Sequence, residues 1–230
     1  MSKGEEILLL WDIDGTILSA KGAGPQAFKR ATQDYFGYEI PITSIDWLGA
    51  TDYSIAYAFL ENAGRAVSRE EAKLLIDCYL SCLPAALDAT NARAMDGIRE
   101  LLEYFHSQKD AHQALLTGNV RRGAEIKLGY LGVLHFFPFG AFADHSDDRN
   151  DLSRHALELA REHLRADWSP DQIYVMGDTP KDIECGKIIG AHTVAVATGQ
   201  HSVEELTAHF PTVVFESFAD PQVLIEFLAG

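Results

Sequence analysis

Five apolar residues, at positions 7–11, run without a polar break and then meet Asp12, Asp14 and Gly15. An uninterrupted apolar run that ends at a glycine turn is typical of a strand buried within a parallel sheet. Side chains at positions i and i+2 of an extended chain point the same way. Asp12 and Asp14 can therefore share a pocket at the carboxyl end of this strand, where open α/β sheets bind their ligands.

The hydrophobic pattern then changes twice along the chain. Residues 20–88 show helical spacing and no convincing strand, with a hinge rich in small residues at 19–25 and a last helix that Pro84 closes. Beyond residue 88, strands and helices alternate, which predicts a parallel, doubly wound sheet. The predicted strands are 113–116, 136–142, 173–176, 193–197 and 213–215, and the predicted helices between and after them are 96–106, 121–130, 151–164, 182–189, 203–210 and 221–228. The fold class is therefore α/β, a Rossmann-like parallel core at 1–18 and 89–230 with four or five helices inserted at 19–88.

Composition and net charge limit the kinds of molecule that the chain is expected to bind. The chain has 230 residues, 47% of them hydrophobic, and a formal net charge of −15, which argues against a nucleic-acid or anionic membrane surface. No run approaches membrane-spanning length, and the apolar run near the start is too short for a signal peptide. The three cysteines show neither CxxC nor zinc-ligand spacing, so we expect reduced thiols and a cytoplasmic protein.

Polar residues follow three of the predicted strands, at the point where each strand ends. They are Asp12 with Asp14, Thr117 with Asn119, and Asp178 with Asp182. The carboxyl ends of parallel strands lie along one edge, so these side chains are expected to converge. Several buried carboxylates are costly unless a cation or a shared proton offsets them. The sequence therefore predicts a metal-assisted acid–base site at this edge.

These motifs resemble those of the haloacid dehalogenase superfamily over essentially the whole chain. The first motif, DxDGT, stands at 12–16, the second at 115–119 as Leu-Leu-Thr-Gly-Asn, and the fourth, GDxxxD, at 177–182. The helical insert resembles the C1 cap of that superfamily. The overall layout is similar to the phosphoglycolate-phosphatase-like group of small-molecule phosphatases.

The resemblance implies phosphoryl transfer through a covalent aspartyl-phosphate. Asp12 would be the nucleophile, and Asp14 would protonate the leaving oxygen and then activate water. Mg²⁺ would be held by an Asp12 oxygen, the Asp14 backbone carbonyl and Asp178, with Asp182 acting from farther out or through water. The catalytic Thr117 would hold phosphate oxygens together with the expected substrate-binding residues Gly15, Thr16, Gly118 and Asn119.

The third motif departs from the superfamily pattern. Members usually place a lysine there, at the start of a helix before the fourth motif, whereas residues 147–154 contain no lysine. Arg149 stands at the expected position and can donate two parallel hydrogen bonds to a phosphate or to the Asp12 carboxylate. Arg154 is the alternative cation.

The presence of Asp14 also bears on which branch of the superfamily the chain resembles. Dehalogenases need no proton donor for a halide and typically lack this second aspartate, and phosphonatases replace it, so its presence favours phosphoester chemistry. We therefore expect a Mg²⁺-dependent phosphatase acting on a small phosphorylated metabolite, phosphoglycolate-like or a sugar phosphate. A phosphomutase or dehalogenase-type hydrolase, or a non-catalytic binding protein, stays open as an alternative, and the protein could be a monomer or a dimer. Cap motion is expected near residues 19–24 and 88–94.

Overall fold

The computed structural model describes residues 6–229, which form a parallel sheet flanked by helices and a helical insertion. The predicted fold class is therefore confirmed. In chain order the elements are β1 (Ile7–Trp11), β2 (Leu18–Ser19), α1 (Ala23–Phe36), α2 (Asp52–Asn62), α3 (Arg69–Ala89), β3 (Arg93–Ala94), α4 (Ile98–Ser107), β4 (Ala111–Leu116), α5 (Arg121–Leu131), β5 (Gly140–Ala141), α6 (Arg149–Leu164), β6 (Ile173–Gly177), α7 (Pro180–Ile188), β7 (His192–Val196), α8 (Val203–Thr207), β8 (Val213–Phe215) and α9 (Gln222–Ala229).

The main sheet has six strands in the order β5-β4-β1-β6-β7-β8, and every neighbouring pair is parallel. β1 lies between β4 and β6, and all five of its residues are buried. Alternate residues face opposite sides, so Leu9 and Trp11 join one apolar cluster and Leu8 and Leu10 join another. Burial on both faces explains why this strand is an unbroken apolar run rather than an alternating one.

The insertion consists of three α-helices, α1, α2 and α3, and one short 3₁₀ helix at Ile42–Ser44, so within the described residues the expected four or five helices are reached only when the 3₁₀ helix is counted. Aromatic side chains fill its interior, and the rings of Phe28 and Tyr79 stack with centroids 4.0 Å apart. The chain enters the insertion through β2 and leaves it through β3, and these two short strands pair antiparallel with each other. The segment expected to be a flexible hinge, 19–25, therefore holds the end of β2 and the start of α1.

Pro84 does not end α3, contrary to the sequence prediction. The helix continues for another turn to Ala89, with Leu83 and Leu87 fully buried on either side of the proline. An interior proline costs about 3 kcal/mol of helix stability. Burying a leucine side chain contributes about 2 kcal/mol, so the two leucines together offset that cost.

The predicted strand at 136–142 is also shorter than expected. A 3₁₀ turn covers Leu134–Phe136, and only Gly140–Ala141 pairs with β4. Phe136, Phe137 and Phe139 are all buried. Phe136 and Phe137 are buried side by side, without the alternation of a half-exposed strand, which explains why hydrophobicity alone overestimated the strand.

Among residues 6–229, none of the helices combines the length and the apolar character that a bilayer span requires.

Gly97 packs closely against the backbone of Phe218, and substitution of this glycine tests that contact. Its φ is +80°, and a Cβ there would overlap the carbonyl group of Phe218. Gly37 at the end of α1 has φ +82°, but a Cβ added there would have no neighbour within 4 Å. We expect Gly37→Ala to lower the free energy of unfolding by about 1 kcal/mol, the cost of the left-handed conformation. Gly97→Ala should cost about 3 kcal/mol or more, because the backbone must also move.

The comparison is made by urea unfolding of both variants beside the unmodified protein. Equal losses for the two glycines would contradict the close approach of residue 218 to the start of α4.

Candidate active site

Three strand ends place polar side chains along one edge of the sheet. Asp12 follows β1, Thr117 follows β4 and Asp178 follows β6, and these three strands are neighbours. The backbone N–H of Asp12 still donates to the Met176 carbonyl over 2.9 Å, which continues the β1–β6 pairing up to the site. The expected convergence of the sequence motifs is therefore present in the fold.

Asp12, Asp178 and Asp182 form a buried acidic cluster. Each offers a carboxylate oxygen within 4.8 Å of the others, and each residue is at most 5% exposed. Asp182 lies in the first turn of α7, where one of its oxygens accepts hydrogen bonds from the backbone N–H and the hydroxyl of Thr179. The Asp14 carboxylate is not part of this cluster.

Arg149 supplies the buried positive charge beside the cluster. It is the first residue of α6, and Asp148 caps that helix. Its guanidinium donates to Asp12 Oδ1 over 3.3 Å and to Asp182 Oδ1, and a further N–H reaches the Gly49 carbonyl at 3.4 Å. Arg154 instead pairs with Asp151 on the surface. The geometry therefore brings Arg149, and not Arg154, to the position of the third-motif cation.

One guanidinium does not balance three carboxylates. Burial, reinforced by the charge of Asp182, raises the pKa of Asp12 from 3.8 to about 7, although Arg149 opposes the shift. Burial and the charges of Asp182 and Asp12 also raise the pKa of Asp178. Closely spaced carboxylate oxygens with excess negative charge suit a hard divalent cation such as Mg²⁺. The donor set therefore fits the expected metal, which Asp12 and Asp178 can ligate directly.

Asp14 has a different environment from Asp12. Its side chain is 42% exposed, and its Oδ2 atom accepts hydrogen bonds from Lys127 Nζ at 2.6 Å and Asn119 Nδ2 at 2.9 Å. Lys127 Nζ also donates to Asn119 Oδ1 at 2.6 Å. Two carboxylates only two residues apart in sequence are thus held by two different cations, Arg149 and Lys127.

The sequence motifs did not identify Lys127, which is buried on α5. Burial lowers the pKa of Lys127, but the nearby Asp14, Tyr79 and Asp52 outweigh it and raise the pKa overall, so the ammonium stays charged. A signal was present in the sequence: Ala124, Lys127 and Leu128 share one helix face, and a lysine on an apolar face just after the second motif needs an acidic partner.

The other site residues predicted from the sequence lie around the Asp12–Arg149 and Asp14–Lys127 pairs. Thr117 is fully buried, and its hydroxyl oxygen accepts from Asn119 Nδ2 at 2.8 Å. The hydroxyl of Thr16 lies 3.4 Å from Asp178 Oδ1. Gly15 has φ +87°, and its N–H donates to the Leu18 carbonyl, so in this conformation that N–H is not free for a phosphate oxygen. Gly118 lies against the insertion, where its carbonyl accepts from the Asp52 N–H at 2.8 Å.

A cavity of about 350 Å³ opens over this edge, between the sheet and the insertion. Its floor includes Asp12, Asp14 and Asp178. The insertion contributes an apolar wall with one buried carboxyl group, formed by Phe28, Trp47, Leu48, Ile55 and Asp52. Burial raises the pKa of Asp52 to about 6, although Lys127 lowers it, and its carboxylate accepts the Val120 N–H at 2.8 Å. Substrate held here would touch both parts of the chain.

The haloacid dehalogenase-like hydrolase family model matches residues 9–196. A predicted phosphatase from Clostridium acetobutylicum has a similar structure, with TM-score 0.74 and 19% identity over 99% of this chain and 100% of that chain. A predicted phosphoglycolate phosphatase from Haemophilus somnus has TM-score 0.73 and 16% identity over 98% of this chain and 100% of that chain. CbbY from Rhodobacter sphaeroides, solved in complex with phosphate, has TM-score 0.71 and 15% identity over 94% of this chain and 96% of that chain. No curated protein sequence matches the chain significantly.

The acidic cluster predicts an unusual dependence of stability on pH. Because the pKa of Asp12 is higher in the folded chain, about 7, than its ordinary 3.8, the folded state retains a proton that the unfolded state has released. The free energy of unfolding therefore falls as pH rises between about 4 and 7. With metal removed by a chelator, we expect Asp12→Asn to be more stable than the unmodified protein by about 2 kcal/mol at pH 8, with a gap that narrows toward pH 4.5.

The measurement is urea unfolding at both pH values in the chelator, with Asp77→Asn on the exposed side of α3 as the control. A variant less stable than the unmodified protein at pH 8 would contradict the repulsion among the three carboxylates.

Proposed function

Because the chain belongs to the haloacid dehalogenase-like hydrolase family, we propose that it is a Mg²⁺-dependent phosphatase of a small phosphorylated metabolite. The substrate class we propose is phosphoglycolate-like or a sugar phosphate. The observation that carries the proposal is that the two aspartates of the first motif have different charged partners at the sheet edge. Asp12 lies with Arg149 beside the acidic cluster, whereas Asp14 is held separately at the cavity by Lys127 and Asn119.

Asp12 and Asp178 would hold the metal together with the Asp14 backbone carbonyl. When bound, Mg²⁺ would offset the negative charges of the carboxylates and of the phosphate group. Asp182 differs from the other two, because Thr179 and Arg149 already donate to its two oxygens. We therefore assign it a role through its charge or through water rather than a direct metal bond.

The proposed reaction has two steps, and both begin with a carboxylate oxygen of the chain. In the first, an Asp12 oxygen forms a bond to phosphorus, the ester O–P bond breaks, and the leaving oxygen takes a proton from Asp14. In the second, Asp14 takes a proton from water, the water oxygen bonds to phosphorus, and the Asp12–phosphorus bond breaks to release phosphate. Asp14 is thereby returned to its protonated form.

The other residues hold the reacting groups. Arg149 fixes the direction of the Asp12 carboxylate through its N–H donors. Thr117, Thr16 and Gly118 are residues we assign to the non-transferring phosphate oxygens. Asn119 and Gly15 are assigned there too, but each would first need to release a present hydrogen bond, that of Asn119 Nδ2 to Asp14 or Thr117 and that of the Gly15 N–H to Leu18. The separate placement of Asp14 supports phosphoester chemistry, because an alkoxide leaving group needs a proton and a halide does not.

We further propose that residues 1–18 and 89–230 act as the catalytic core and residues 19–88 as a cap. The β2–β3 pair joins the two parts and is the proposed hinge for admitting substrate and then excluding water. The proposed setting is the cytoplasm, where the free thiols of Cys78, Cys82 and Cys185 would stay reduced.

The first experiment measures phosphate release from a panel of phosphorylated metabolites, with Mg²⁺ and with a chelator. We expect release from at least one of phosphoglycolate, the sugar phosphates or the nucleotides, and only in the presence of Mg²⁺, because the cluster is otherwise too negatively charged to accept a phosphate. Isomerisation of a sugar phosphate without phosphate release would identify a mutase. No turnover of any kind by the folded protein would favour a binding protein.

The nucleophile is tested by Asp12→Asn. The amide keeps the size of the side chain and can still accept from Arg149, but it cannot form the aspartyl-phosphate, so turnover should fall by about 10³-fold or more. Asp77→Asn again serves as the control, with unchanged turnover. Activity of Asp12→Asn close to that of the unmodified protein would overturn the assignment.

A further inference from the structure

Lys127 is a charged group that neither the metal cluster nor the proposed phosphate contacts use. Its side chain is only 4% exposed, and its Nζ donates hydrogen bonds to Asp14 Oδ2 and Asn119 Oδ1, both at 2.6 Å. A buried ammonium is costly to keep without partners. Lys127 is therefore committed to its neighbours and is not a freely moving surface lysine.

Asn119 bonds to both Lys127 and Asp14 and so fixes how the two side chains are placed relative to each other. Its Nδ2 donates to both Asp14 Oδ2 and the Thr117 hydroxyl oxygen, while its Oδ1 accepts from Lys127. Two donors thus hold the same oxygen of Asp14 from fixed elements, the loop after β4 and the buried face of α5. Within the described part of the chain, the other Asp14 oxygen has no hydrogen-bond partner, and Asp14 lines the cavity.

We propose that Lys127 is a positioning residue that holds Asp14 by one oxygen so that its other oxygen meets the leaving oxygen of the substrate. The inference rests on the proposed phosphatase function and assigns to it a residue outside the sequence motifs. Lys127 does not touch phosphorus in this arrangement. It acts through Asp14, and kcat/KM reports the first of the two steps in which Asp14 acts, the step in which the leaving oxygen takes a proton.

If Lys127 only stabilised the fold, its replacement would affect the reaction rates in a different way. A lysine that only stabilises the fold would, when replaced, slow all substrates by a similar factor. A lysine that positions the proton donor matters most where the leaving group is a strong base, because a weakly basic leaving group departs without a proton. The dependence of rate on leaving-group basicity therefore separates the two roles.

The test measures kcat/KM for Lys127→Met with a series of aryl phosphates of similar shape, from 4-nitrophenyl phosphate to phenyl phosphate, in Mg²⁺. We expect a loss of about 10-fold or less with 4-nitrophenyl phosphate and about 100-fold or more with phenyl phosphate, within the range that proton transfer contributes. Lys127→Arg, which keeps a charged donor, should recover part of the loss with phenyl phosphate. Lys73→Met, on the exposed side of α3, is the matched control and should match the unmodified protein.

Removal of the lysine leaves the buried Asp52 carboxylate without a neighbouring cation and could prevent folding. The double variant Asp52→Asn/Lys127→Met removes that charge as well, while the amide oxygen can still accept the Val120 N–H. Each variant is first checked by thermal unfolding. The series is then repeated with whichever of the two folds.

A second arm tests whether Lys127 acts through Asp14. In an Asp14→Asn background, the additional change Lys127→Met should lower kcat/KM for phenyl phosphate by less than about 3-fold, since the group that it positions is already gone. Equal losses across the aryl series in the chain that keeps Asp14, or a full further loss in the Asp14→Asn background, would overturn the proposal. If the unmodified protein hydrolyses no member of the series and no metabolite of the panel, the proposed function itself fails.

Discussion

The site depends on one electrostatic constraint: Asp12, Asp178 and Asp182 lie buried close to one another, and Arg149 is the cation that contacts the cluster. Like charges at this spacing oppose folding unless a cation joins them. The backbone accommodates the crowding through glycine, because a Cβ on Gly15 would overlap the Asp178 carboxylate. The first motif therefore needs glycine there for space as well as for its positive φ.

The same constraint explains why the two aspartates of the first motif can do different work. Asp12 is buried among other carboxylates, whereas Asp14 is half-exposed and bonded to Lys127 and Asn119. Because both residues are aspartates, the proposed roles of Asp12 as nucleophile and Asp14 as proton donor rest on these different environments and not on residue type. The i, i+2 spacing brings both side chains to one pocket, and the second cation on α5 gives them different surroundings.

Much of the core could be predicted from sequence, because its signals are local. The β1 boundaries follow from a single apolar run, and family membership follows from motifs at the ends of strands. The insertion was predicted less well, since Pro84 lies inside α3, where packing of Leu83 and Leu87 overrides local helix propensity. β2 and β3 were missed because two-residue strands carry no periodicity and exist only through pairing between distant parts of the chain. Lys127 was missed for a similar reason, since its neighbours Asp14, Asn119, Asp52 and Tyr79 come from four other segments.

The loop after β4 connects the insertion to the acid–base group. On one side, Gly118 and Val120 bond to the backbone and carboxylate of Asp52 at the start of α2. On the other side, Asn119 bonds to Asp14 and Lys127. Movement of the insertion away from the sheet must break the first set of bonds, whereas the second set joins residues that all lie outside the insertion. The Asp14–Lys127 pair could therefore stay assembled if the cavity opens, whereas Asp52 and Tyr79, which lie on the insertion, would move away from it.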